Sequence, residues 1–182
     1  MVHVPASPAL RLAAAVGMAV VAAGCSSSGS SGAAASPSHA APVTMKLTSS
    51  AFKDGGTIPK LYTCDGENVS VPLSWSGAPK GTAWFAVTVI DPSGPVTHWY
   101  LIDIPAATTG IKQGASISPP GKQVSSWIGM CPGGGPDAYE FTVYAMPSSY
   151  KPLATYAGYA EDEDGLAAHA IGIGQLTGYY KD

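Results

Sequence analysis

The sequence predicts a mainly β fold, built from short strands joined by many turns, with a helix at the carboxy terminus. Three observations point that way. Gly and Pro are abundant, 22 and 16 of 182 residues, while charged residues make up only 12%, a composition that suits strands and turns better than a helical bundle. Three segments, Ala83 to Ile90 (AWFAVTVI), His98 to Ile104 (HWYLIDI) and Tyr139 to Met146 (YEFTVYAM), are rich in aromatic and β-branched residues, which suit a pleated, buried surface. Turn signals punctuate them, among them Asp54-Gly55-Gly56 and Asp91-Pro92-Ser93-Gly94-Pro95.

The length allows one ordinary domain and some additional segment. The additional segment comes first. Arg11 precedes an apolar run from Leu12 to Ala23, shorter than the roughly 20 residues of a spanning helix but suited to a signal-peptide core. It ends in Val21-Ala22-Ala23-Gly24-Cys25, which resembles a bacterial lipobox, although Ala22 stands where that pattern prefers Leu; ordinary secretory cleavage is the alternative. Residues 1–24 are therefore expected to be a removed signal peptide and Cys25 to carry the lipid. The expected location is the outer face of the bacterial cell membrane. Several acyl chains on one residue, at about 0.8 kcal/mol per buried methylene, would make a durable anchor. From Ser26 to Pro42 the chain reads SSSGSSGAAASPSHAAP, too poor in apolar residues to offset its chain entropy. Residues 25–44 are read as a disordered tether with a span of about 20 to 25 Å, and His39 within it is given no role. The folded domain is placed at 45–182.

Within that domain Met45 to Phe52 opens as a strand, Leu73 to Trp75 is a short apolar stretch, and the three strong segments supply the central strands. Tyr139 to Met146 alternates Tyr139, Phe141, Val143 and Ala145 against Glu140, Thr142 and Tyr144. Leu166, Ala170, Ile173, Thr177 and Tyr180 fall at helical spacing after Glu161-Asp162-Glu163-Asp164, which complements a helix amino terminus. A terminal helix is predicted there, weakened by Gly172, Gly174 and Gly178 and held by packing on the sheet. With Cys25 assigned to lipid, Cys64 and Cys131 remain and could pair outside a reducing compartment; the alternative is a reactive Cys131 thiol near His98. The formal net charge of −3 and sparse basic residues leave no stripe to neutralise phosphates, so nucleic acid is not an expected partner.

Three longer stretches, taken together and in order, resemble one family. They are LTSSAFKDGGTIPKLYTCDGENVSVPLSW (Leu47 to Trp75), VIDPSGPVTHWYLIDIP (Val89 to Pro105) and GMCPGGGPDAYEFTVYAM (Gly129 to Met146). The chain is similar over about Leu47 to Tyr180 to the phosphatidylethanolamine-binding proteins, in particular their bacterial, Raf kinase inhibitor-like branch. The resemblance implies a β-sandwich with Greek-key topology, short flanking helices and a carboxy-terminal helix. It also implies a small pocket for anionic groups or phospholipid headgroups. Residue by residue, it places Asp91, His98, Gly129, Cys131, Pro132 and Tyr139 in that pocket. A histidine can donate to an anion, with charge assistance when protonated, and a glycine loop lets backbone N–H groups approach closely. Asp91 would orient His98 or accept from an ammonium headgroup; both tasks stay open.

The departures from the family pattern cluster at the same place. Ser93 and Gly94 replace the second half of the usual Asp-Pro-Asp-Ala-Pro, Gly133 replaces a loop proline, and Asp137-Ala138 stand where His-Arg is usual. Val71 replaces a proline farther off. The resemblance allows a second reading, a regulator or inhibitor of a kinase or protease with an unnamed protein target. An enzyme is not expected, because Gly-x-Ser-x-Gly, His-Glu-x-x-His, a phosphate loop and Cys-x-x-Cys are all absent from the sequence. No cofactor or metal is expected either; His98, His169, Cys131 and Met130 supply copper-ligand types without the close spacing of a copper protein.

Overall fold

The computed structural model of the chain describes residues 40–94, 96–151 and 159–182. The expected signal peptide, Cys25 and the tether through His39 lie outside the described residues. In chain order the strands are β1 (Val43–Thr44), β2 (Lys46–Thr48), β3 (Gly56–Thr57), β4 (Leu73–Ser76), β5 (Trp84–Asp91), β6 (Val96–Pro105), β7 (Gly110–Ile111), β8 (Lys122–Ser125), β9 (Asp137–Met146) and β10 (Gly172–Tyr180). Among the described residues there is one α-helix, α1 (Tyr159–His169), which precedes β10, and two short 3-10 turns at Lys60–Tyr62 and Ala115–Ile117. The large sheet has seven strands, in the order β1-β10-β9-β5-β6-β8 with β3 also on β10, and the small sheet is β2-β4-β7. The large sheet is mixed rather than antiparallel throughout, because β1 and β3 both run parallel to β10.

The three apolar segments form β5, β6 and β9, neighbours at the middle of the large sheet. Every residue of β5 is buried, as expected of a strand covered on both faces. Phe85, Val87 and Val89 share one core with Phe141 and Val143 of β9 and with Leu47, Leu73, Trp75 and Ile111 of the small sheet. Trp84 and Ala86 join a second cluster with Tyr144, Met146, Leu166 and Ala170, so α1 and the residue that follows it cover the opposite face. The opening strand is short. After β2 the Ser49 hydroxyl donates to the Pro72 carbonyl at 2.7 Å and accepts from the Ala51 amide at 3.0 Å, and this local turn diverts the chain before Phe52.

The carboxy-terminal helix is corrected by the structure. Helix α1 ends at His169, and the residues from Gly172 form β10 between β1 and β9. Leu166, Ala170, Ile173, Thr177 and Tyr180 only mimic a helical period across an element boundary. Within β10 the buried set is Gly172, Gly174, Leu176, Gly178 and Tyr180, alternating with more exposed residues, a period of two. The glycines are required by close neighbours. A Cβ on Gly178 would lie 2.6 Å from Ile58 Cγ1 and 2.7 Å from Phe52 Cε2, and one on Gly172 would lie 2.7 Å from Pro79 Cδ. They mark a tightly covered strand and not a weakened helix.

Candidate functional site

The end of β5 and the start of β6 bring the first two candidate residues together. Asp91 closes β5, and its Oδ1 accepts from the Ser93 amide at 2.8 Å, the Ser93 hydroxyl at 2.7 Å and the Gly94 amide at 3.3 Å. This is the hydrogen bonding that makes Asp a turn opener. Val89 pairs with Trp99 and Ile90 with Thr97, so His98 is the extra residue of a β-bulge. A bulge re-aims a side chain that simple alternation would send to the other face. His98 is buried, 4% exposed. Its ring stands edge-on to Tyr139, with centroids 5.1 Å apart and planes at 82°.

A reciprocal pair of bonds fixes the histidine. His98 Nδ1 lies 2.8 Å from the Ile128 carbonyl oxygen, and the Ile128 amide donates to the His98 carbonyl at 2.8 Å. A carbonyl only accepts, so the proton belongs on Nδ1, and Nε2 carries the lone pair of the neutral ring. Burial holds the imidazole below its ordinary 6.5; the Ile128 carbonyl, the negative charge of Asp91 and the Gly129 backbone oppose that shift. Tyr139, 1% exposed, is pushed up to about 12 by burial and by the charges of Asp137 and Asp91, against a hydrogen bond from the Cys131 backbone. Asp137 lies two residues from Tyr139 on the same strand face.

The loop that supplies these backbone groups is fastened from below. Cys64 and Cys131 are disulfide-bonded, with Cα atoms 5.6 Å apart, so Cys131 offers no thiolate. The Cys64 amide donates to the Met130 carbonyl at 3.1 Å. Trp127 Nε1 donates to Asn68 Oδ1 at 3.0 Å. A Cβ on Gly129 would lie 2.4 Å from that same Asn68 oxygen, so glycine there permits a close approach between loops.

The scan of family models matches the phosphatidylethanolamine-binding protein family over residues 48–181. The chain belongs to that family. Among its relatives, a UPF0098 protein of Methanothermobacter thermautotrophicus is 35% identical, over 75% of this chain and 99% of its own length. The crystal structure of Escherichia coli YbcL, described as a member of the mammalian family, superposes with a TM-score of 0.66 at 29% identity, covering 76% of this chain and 98% of that one. A homologue from Chlamydia trachomatis gives 0.65 at 26% identity, with 76% and 98% covered. The fold shared with these family members is mainly β with few helices.

Of the candidate residues drawn from the resemblance, Asp91, His98 and Tyr139 meet through their side chains or charges, while Gly129 and Cys131 reach His98 and Tyr139 through backbone. Pro132 is buried in the loop. Ile128 is the residue that sequence reasoning passed over: it acts through its carbonyl and amide, which any residue type would supply. Among the described residues no three His, Cys, Asp or Glu side chains gather to hold a metal. His169, the other copper-type histidine, stacks on Tyr150 at 4.3 Å. The surface also carries hollows away from the site, one of about 200 Å³ bounded by Leu47, Phe52, Lys53 and Leu176. They contain none of the candidate residues.

Proposed function

We propose that this chain is a ligand-binding module of the cell envelope, with no catalysis of its own, whose site at Asp91, His98 and Tyr139 takes anionic groups or phospholipid headgroups. The carrying observation is the bulged His98: its Nδ1 is committed to Ile128, which leaves Nε2 as the ring atom able to meet a ligand. The carboxylates of Asp91 and Asp137 suit an ammonium group, and a protonated His98 suits a phosphate, so phosphoethanolamine satisfies both halves. Each charge-assisted hydrogen bond is about twice as strong as a neutral one. Binding of the phosphate half strengthens as pH falls, because burial keeps the free imidazole neutral.

The two sheets are read as layers of a sandwich with Greek-key connections, a reading supported by their shared core. Export and lipid attachment at Cys25 complete the proposal, supported by the apolar run and the small residues before that cysteine. A second reading, a protein-binding regulator, draws on the exposed apolar side chains beside the site: Ile128 is 51% and Val96 40% exposed. Calorimetric titration with phosphate, acetate and phosphoethanolamine separates the two. The first reading expects saturable heat with phosphoethanolamine that Asp91→Asn and Tyr139→Phe both weaken. Absence of heat with all three ligands would leave the regulator reading, which expects one specific partner on cross-linking in the native envelope.

A further inference from the structure

The disulfide stands where a switch on the site would stand. Both cysteines are solvent-exposed, at the edge of a core that their neighbours Tyr62 and Met130 already enter through their own side chains. A domain of this size builds a sufficient core without a staple, unlike the small disulfide-dependent domains. What the bridge fastens is the loop that holds the site: Ile128 fixes His98 and the Cys131 backbone bonds to Tyr139. Beyond Cys131 the loop is loosely packed, since a Cβ on Gly133, Gly134 or Gly135 would meet nothing within 4 Å. Cys131 and the buried Pro132 are therefore the last fixed points before β9.

We propose that Cys64–Cys131 is a thiol–disulfide exchange site opened by a dithiol partner, and that opening it loosens the grip of the loop on His98 and Tyr139. A thiolate of the partner attacks one cysteine sulfur, forming a mixed disulfide while the protein S–S bond breaks and the other cysteine leaves as a thiolate that takes up a proton. The partner's second thiol gives up its proton and attacks the mixed disulfide. The protein is reduced to two thiols, and the dithiol is oxidised to a disulfide. Exposure favours this chemistry, because the attacking thiolate must reach a sulfur directly.

Only the functional consequence rests on the ligand-binding reading; the loosening itself is measured without ligand. The full chain is treated with dithiothreitol under native conditions, alkylation is mapped to Cys64 and Cys131, and the His98 imidazole is titrated by NMR in the oxidised and reduced states. The Cys64→Ser/Cys131→Ser double variant is run beside them. The expected result is a reduced chain with unchanged far-ultraviolet circular dichroism, a His98 midpoint that moves up toward 6.5 as water reaches the ring, and the same midpoint in the double variant. Three results overturn the proposal: a bridge that dithiothreitol leaves intact while the chain is folded, a His98 midpoint that does not move on reduction, or a reduced chain or double variant that unfolds. Failure of the oxidised chain to bind phosphoethanolamine sinks the ligand reading alone.

Discussion

Two tyrosines of β9, on opposite faces of the large sheet, each sit near carboxylates and each have a phenol of lowered acidity. Tyr144 faces α1. Its hydroxyl donates to Glu163 Oε1 at 2.6 Å, and Thr88 donates to the same oxygen at 3.2 Å. Burial, then the charge and hydrogen bond of Glu163, raise its phenol far above the ordinary range. Tyr139 faces the other way, raised to about 12, and among the described residues its hydroxyl donates to no protein group. At Glu163 the donors and the acceptor are spent on one another, which is the signature of a structural contact. At Tyr139 and His98 hydrogen-bonding capacity is left for something else. A perturbed acidity marks a site only where the groups concerned are not already satisfied by the protein.

The largest effect expected from breaking this contrast is at the structural tyrosine. Tyr144→Phe deprives the Glu163 carboxylate of its shortest bond and should cost about 1.5 to 3 kcal/mol, measured by urea denaturation, with ligand binding unchanged. Next comes pH. Because burial lowers the His98 midpoint below 6.5, the folded chain binds fewer protons than the unfolded one in the window just under that value. His98 therefore contributes stability that is fully present above it and is lost as pH falls toward the folded midpoint, by at most about 1.4 kcal/mol per unit. Denaturation of the wild type and His98→Gln at about pH 7.5 and 5.5 should show the slope in the former and lose it in the latter. Smaller still is Tyr139→Phe, which should cost about 1 kcal/mol or less, while the response to phosphoethanolamine weakens. Smallest is Asp137→Asn, expected to bring the Tyr139 phenol down from about 12 in an ultraviolet titration without a change in melting temperature.

The two sides of the comparison were not equally legible in the sequence. β5, β6 and β9 announce themselves through aromatic and β-branched residues, in β5 as a nearly unbroken apolar run that suits burial on both faces and in β9 as an alternation. The two-residue strands β1, β3 and β7 are too short for any period, and β8, Lys122 to Ser125, has no strong strand signal. β10 reads as helix because Leu166, Ala170, Ile173, Thr177 and Tyr180 mimic a helical period and its three glycines look like mere helix weakeners, whereas the reason for Gly172 and Gly178 lies far off in sequence, at Phe52, Ile58 and Pro79. Asp91, His98 and Tyr139 could be marked from family-like segments. The bulge that aims His98 depends on a register between strands, and the Ile128 carbonyl that fixes it depends on no side chain at all. In the sequence Glu163 is only part of an acidic helix start; its partnership with Tyr144 requires knowing that α1 lies on that face.

The central claim is that His98 keeps Nε2 for a ligand. It is tested most directly by following the histidine side-chain nitrogens by NMR while phosphoethanolamine is added near neutral pH. The account predicts that His98 Nε2 shifts saturably while Nδ1 keeps its proton and His169 stays still. A His98 Nε2 resonance that does not move at ligand excess, or one that moves no more than His169, would contradict it.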